Sequence, residues 1–209
     1  MSLNVAPSAR LARDWWRELA DGMPRRARDG TRTASSGALA RLRRTRTPLE
    51  AMMHAEVVDL MQRIDPELVR HVRPDGPHWQ EKRLADLAGL AILLAHVHED
   101  DPSRSVAGRL GGNEPDNRLM KPARFRRLML ATGEDRLVTF RRAVRLLSST
   151  VNVGDLATGW LMWDHPDVGM RTRSEWMFRY VGARESDDRR SSDPDVPDSP
   201  SPAIEEAAR

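Results

Sequence analysis

At 209 residues, 39% apolar and 31% charged, the chain has the balance of a soluble globular protein, one domain or two small ones with a real core. It has no cysteine, which excludes disulfides, a thiolate nucleophile and Cys-based zinc, and points to a reducing, cytoplasmic setting. Net charge is only +3, so any polyanion-binding character has to come from how the charges are distributed.

The first residues, MSLNVAPSARLARDWW, lack the apolar core of a secretion signal. Leu11, Trp15, Trp16 and Leu19 instead mark the inner face of a helix from about Ser8 to Ala20. DGMPRRARDGTRTASSG follows as a basic loop. GALARLRRTRTP (37–48) then predicts a short helix with Ala38, Leu39 and Leu42 on one side. Thr47, Pro48 and Glu50 form a helix-start signature, and one helix is expected from there through AMMHAEVVDLMQRI. DPELVRHV reads as one or two turns opened by Asp65 and Pro66.

From Trp79 to His98, Leu84, Leu87, Ala88, Ala91, Leu94 and Ala95 recur at helical spacing, predicting the most buried helix. No apolar run approaches the ~20 residues of a membrane span. EDDPSR is a turn, and SVAGRLGGNEPDN a short helix with a long loop. Pro122 opens a helix through ARFRRLMLA; TGED ends it and caps the next, RLVTFRRAVRLL. NVGDLATGWLMW and RSEWMFRYV complete the helices. After Ala183 the chain turns to Ser, Pro and Asp, the composition of a disordered tail. The expected fold is therefore all-α with no sheet: two small helical bundles in series, residues 1–105 and 106–184, and an acidic tail, 185–209.

Charge separates along this plan. The tail from Glu185 carries eight acids and three arginines, net −5, leaving +8 on the rest. Residues 25–46 are net +7, and so are residues 118–145. On a helical wheel Arg141, Arg142 and Arg145 crowd one flank beside the apolar arc of Leu137, Phe140, Val144 and Leu147. Arg124 and Arg127 share one side of their helix and Arg126 takes the other; Arg41 and Arg44, three apart, are surface neighbours. A helix built only for solubility interleaves acids with its arginines. These do not, so a polyanionic partner is the reading set against a plain solvated surface. The tail, opposite in sign and joined to the same chain, is a natural competitor for that face.

Other chemistries lack residues. Neither a GxxxxGK[ST] loop nor GxGxxG is present. His96 and His98 point to different sides of a helix, so with Glu99, Asp100 and Asp101 they make a poor metal set, and no metal or cofactor is expected. Trp15, Trp16 and Trp79 are stacking faces for bases or, more simply, core.

The order of WWRELADG, GALARLRR, LADLAGLAILLAHV, SVAGRLG, RFRRLM, LVTFRRAVRLL, VNVGDLATGWLMWD and EWMFRYV resembles the CasB family, the small subunits of the type I-E CRISPR complex Cascade. The resemblance covers about residues 8–182 and does not extend to the basic loop at 22–36 or the acidic tail. It implies a non-enzymatic subunit that sits as a pair along Cascade, against its backbone and large subunits. Such a subunit supports the R-loop by holding the displaced DNA strand and the crRNA–target duplex. The family's basic face falls here on Arg43, Arg44, Arg124, Arg141 and Arg142. With Arg41, Arg127 and Arg145 from the wheel, these are the expected nucleic-acid contacts. The alternatives are a free-standing helical DNA-binding transcriptional regulator, which needs base-reading Asn or Gln on a recognition helix, and an enzyme of a helical class with no recognisable signature.

Overall fold

The computed structural model describes residues 5–22, 25–26, 32–33, 37–71, 77–112 and 117–182. The expected acidic tail, 185–209, and most of the basic loop at 22–36 lie outside the described residues.

The first helix, α1 (Val5–Ala20), buries Ala12, Trp15, Trp16 and Leu19, the face its periodicity predicts. Beyond it β1 (Arg25–Arg26) pairs antiparallel with β2 (Arg32–Thr33). Helix α2 (Ala38–Arg44) buries Ala38, Leu39 and Leu42, which leaves its arginines to the other sides.

The helix expected from Pro48 to Ile64 is two helices, α3 (Pro48–Met52) and α4 (Ala55–Ile64). The start signature holds: Thr47 accepts from the Glu50 amide at 3.2 Å, and Glu50 accepts in turn from the Arg46 amide at 2.9 Å. The break falls at His54, whose backbone is extended at φ −95° and ψ 129°. It lets α3 pack on the central helix while α4 also reaches α1. Asp65 then caps α5 (Pro66–Arg70) through the Leu68 amide at 3.1 Å.

At the centre lies α6 (His78–Ala95), which buries Leu87 and every residue from there to Ala95. It packs against α2, α3 and α4, and against two later helices, α9 (Gly133–Leu146) and α10 (Val153–Met162). Close approach on the α10 side depends on Gly89, where a Cβ would lie 2.6 Å from Trp160 Cζ2. Helix α10 also packs along α1. The buried side chains from Ala12 to Tyr180 form one contiguous core.

The expectation of a sheet-free fold is corrected at two places. One is the β1–β2 pair. The other is β3 (Glu99–Asp100), which runs parallel to β4 (Thr150–Val151), Glu99 opposite Thr150 and Asp100 opposite Val151. After α9 the chain reverses through Ser148 and Ser149, at φ 55° and 61°, and the Ser149 carbonyl accepts from the His98 amide at 2.8 Å. Asp100 fastens this junction: it pairs with Arg13 of α1 and accepts from the Val153 amide opening α10 at 3.1 Å.

The remaining helices are α7 (Val106–Gly111), α8 (Pro122–Leu130) and α11 (Gly169–Tyr180). Asp155 of α10 joins two of them, accepting from the Val106 amide and from Arg179, both at 2.8 Å. A second buried network holds α9 to α6: Arg136 pairs with Asp86 and, at 2.8 Å, with Asp164, while its guanidinium lies 3.9 Å from the Trp160 ring centre. No described helix is long and apolar enough to cross a membrane.

Candidate nucleic-acid interface

Helices α8 and α9 pack side by side. Phe125 and Leu128 of α8 and Leu137, Phe140 and Val144 of α9 are buried. The intervening arginines are thereby turned outward into the crevice between the two helices. Two adjoining grooves result, of about 550 and 540 Å³. Arg124, Arg127, Arg142 and Arg145 line one; Arg126, Arg127 and Arg142 line the other. All five side chains are exposed. Within the described residues none of the five has an ion pair or hydrogen-bond partner. Among the described residues the one carboxylate on the walls is Asp135, in the first turn of α9. Leu130 and Val138, both exposed, add apolar surface to the same walls.

Arg145 ties this groove to a second cluster. His96, the C-cap of α6, is 8% exposed and accepts from Arg141 Nε at 2.9 Å. Its pKa is pushed down to about 4, first by burial and then by the charges of Arg141, Arg145, Arg43 and His98. It is therefore neutral at ordinary pH and can serve Arg141 as an acceptor. Arg141 also reaches the carbonyls of Arg43 and Thr45, at 3.3 and 3.5 Å, where α2 ends. Arg43 donates from Nε to the Ala95 carbonyl at 2.6 Å, where α6 ends. Unpaired carbonyls at helix C-termini carry partial negative charge and favour cations. The ends of α2 and α6 thus account for how like charges are held together here.

The expected contact residues consequently divide. Arg124, Arg127, Arg142 and Arg145 meet in one groove. Arg43 and Arg141 adjoin it but are half-buried and committed to backbone carbonyls. Arg44 is exposed and returns its Nε to the Ala40 carbonyl of its own helix at 3.2 Å. Arg41 turns to Glu56 of α4 at 2.6 Å, so a carboxylate of the globular body already neutralises it.

Arg126, which the wheel sets apart from Arg124, lines the second groove and not the first, while Arg127 lines both. The spacing Ala123, Arg126, Arg127, Leu130 makes the face that reaches the second groove. Arg136, counted within the second basic segment, is instead buried against two carboxylates. Trp15 and Trp16 are core, whereas Trp79 is 55% exposed. Among the described residues no group of three or more His, Asp or Glu is placed to hold a metal ion.

A helical fold around one buried central helix, with an arginine-lined crevice, defines a helical protein with a cationic face. The chain matches the family model described as CRISPR-associated protein Cse2 over residues 38–180, and it belongs to that family, of structural, non-catalytic proteins. Two solved structures share the fold. A Cse2-family CRISPR-associated protein from Thermus thermophilus is 20% identical, with a TM-score of 0.56 over 85% of this chain and 99% of its own. CasB from Thermobifida fusca is 17% identical, with a TM-score of 0.56 over 86% of this chain and 99% of its own. No curated protein matches the chain.

Proposed function

We propose that this protein is a non-catalytic small subunit of a type I-E Cascade ribonucleoprotein, acting in the cytoplasm in antiviral defence. It holds nucleic-acid backbone without reading sequence and thereby stabilises the R-loop. One observation carries the reading: Arg124, Arg127, Arg142 and Arg145, from two helices, face one groove with no carboxylate partner among the described residues. Arginine forks on rigid helices suit phosphate oxygens. Neither α8 nor α9 contains Asn or Gln, the residues that pair with adenine edges, which favours backbone contact over base readout.

R-loop formation exchanges one duplex for another of similar stability, so modest backbone contacts tip it. The ligands are the displaced single strand and the backbone of the crRNA–target duplex. The protein partners are the backbone and large subunits and a second copy of this chain. Membranes play no part. The chain, tagged in its native cell, is expected to co-purify with a ribonucleoprotein carrying a short guide RNA. Recovery of the chain free of RNA and of other subunits would refute the assignment.

A further inference from the structure

The described fold ends at Gly182, two residues beyond a side chain that lies against α8. Tyr180, in the last turn of α11, lies on Phe125 of α8 with ring centres 3.7 Å apart and 8° between planes. Its hydroxyl donates to the Met120 carbonyl at 2.7 Å, and Arg118 covers its ring at 5.0 Å. Met120 is part of the groove wall, and Arg124 directly precedes Phe125. The polypeptide that follows Gly182 therefore starts next to the arginines of α8.

That polypeptide is acidic. After Arg184 its next charges are Glu185, Asp187 and Asp188, and residues 185–209 are net −5. From Gly182 to Asp188 an extended chain spans about 20 Å. A nine-residue helix such as α8 is about 13 Å long. The tether to Asp187 and Asp188 is thus longer than α8, whose unpaired guanidinium groups repel one another for want of an anion, and Glu185 has about half of that reach.

We propose that the acidic segment beginning at Glu185 docks in the α8–α9 groove of its own chain, its carboxylates standing where phosphates bind, and that nucleic acid displaces it. The proposal rests on the reading of the groove as a phosphate site and adds its regulation. A tethered segment competes at an effective concentration on the order of a millimolar. With an intrinsic affinity of a few hundred micromolar it weakens nucleic-acid binding about fivefold at low salt. Salt screens the exposed contact and removes the effect. The groove then answers only to ligands of higher charge density than its own tail.

The chain has two lysines, Lys82 and Lys121, which makes carboxylate-to-amine coupling a clean test on the full-length protein. Lys121 is exposed, caps α8 and lies one turn from Arg124; Lys82 sits by Asp86 and Asp164. A water-soluble carbodiimide should join Lys121 to the peptide containing Glu185–Asp188 within one chain. The product should vanish in about 1 M NaCl and on addition of oligothymidine. The full-length E185Q/D187N/D188N variant should lose it and bind oligothymidine about fivefold more tightly at low salt. No such product, a product formed only between two chains, or unchanged affinity in the variant overturns the proposal. Salt-sensitive oligothymidine binding without the cross-link defeats the docking alone. The cross-link without any oligothymidine binding upholds the docking and defeats the phosphate reading.

Discussion

Lowering the pH should unfasten the junction between α2, α6 and α9 through one group, His96. Its pKa in the fold is about 4 against an ordinary 6.5. Between those values the unfolded chain binds a proton that the folded chain refuses. Stability is therefore fully present above pH 6.5 and falls as the pH drops toward 4. The full difference is about 3 kcal/mol, of which about 1.3 kcal/mol is lost between about pH 7.5 and 5.5. Protonation also removes the acceptor for Arg141 Nε, so the loss is coupled to the contacts Arg141 makes with the end of α2. Urea unfolding at the two pH values, for wild type and His96→Gln, isolates the effect, because Gln retains an acceptor and does not titrate. Wild type should lose about 1.3 kcal/mol more than the variant. Equal losses would show that His96 is not held neutral by its surroundings.

Arg142→Ala should weaken binding to an oligonucleotide and lower its salt slope by about 0.7, with stability changed by less than about 0.5 kcal/mol. Arg141→Ala should do the reverse in emphasis: it strips contacts from two carbonyls and His96, and thermal unfolding should register about 1–3 kcal/mol. Arg41→Ala should leave nucleic-acid affinity unchanged by anisotropy titration, because Glu56 already holds that side chain. Arg136→Ala removes a buried guanidinium from Asp86 and Asp164, which keep Lys82 and Arg173 as partners, and should cost about 1–3 kcal/mol. In a chain of this size that lowers the calorimetric Tm by roughly 2–12 °C.

Periodicity made most helices legible, since a face such as Leu11, Trp15, Trp16 and Leu19 is set by local spacing. Thr47 and Asp65 were equally readable as helix starts, and each bonds an amide three residues on. What escaped depends on distant neighbours. Nothing in AMMHAEVVDL interrupts the helical spacing at His54; the break is imposed by what α3 and α4 pack against. A two-residue strand such as Glu99–Asp100 has no period, and it exists because the Ser148–Ser149 reversal brings Thr150 alongside. The same holds for the arginines. The wheel identified the charged flanks, but Glu56, 15 residues on, removes Arg41 from the cationic surface, and helix ends claim Arg43 and Arg141. Only the packing of α8 against α9 shows that Arg126 and Arg142, on different helices, line one groove.

Four guanidinium groups acting together on phosphates are the centre of the proposed function. The direct measurement is fluorescence anisotropy of labelled oligothymidine over a range of NaCl concentrations, for wild type and for Arg124, Arg127, Arg142 and Arg145 all changed to Ala. Single-stranded DNA loses about 0.7 in log affinity per log salt for each phosphate neutralised. The four-fold variant should therefore show a slope shallower by about 3 and weaker binding at every concentration. Identical slopes for the two proteins would contradict the central claim, whatever the affinity of either.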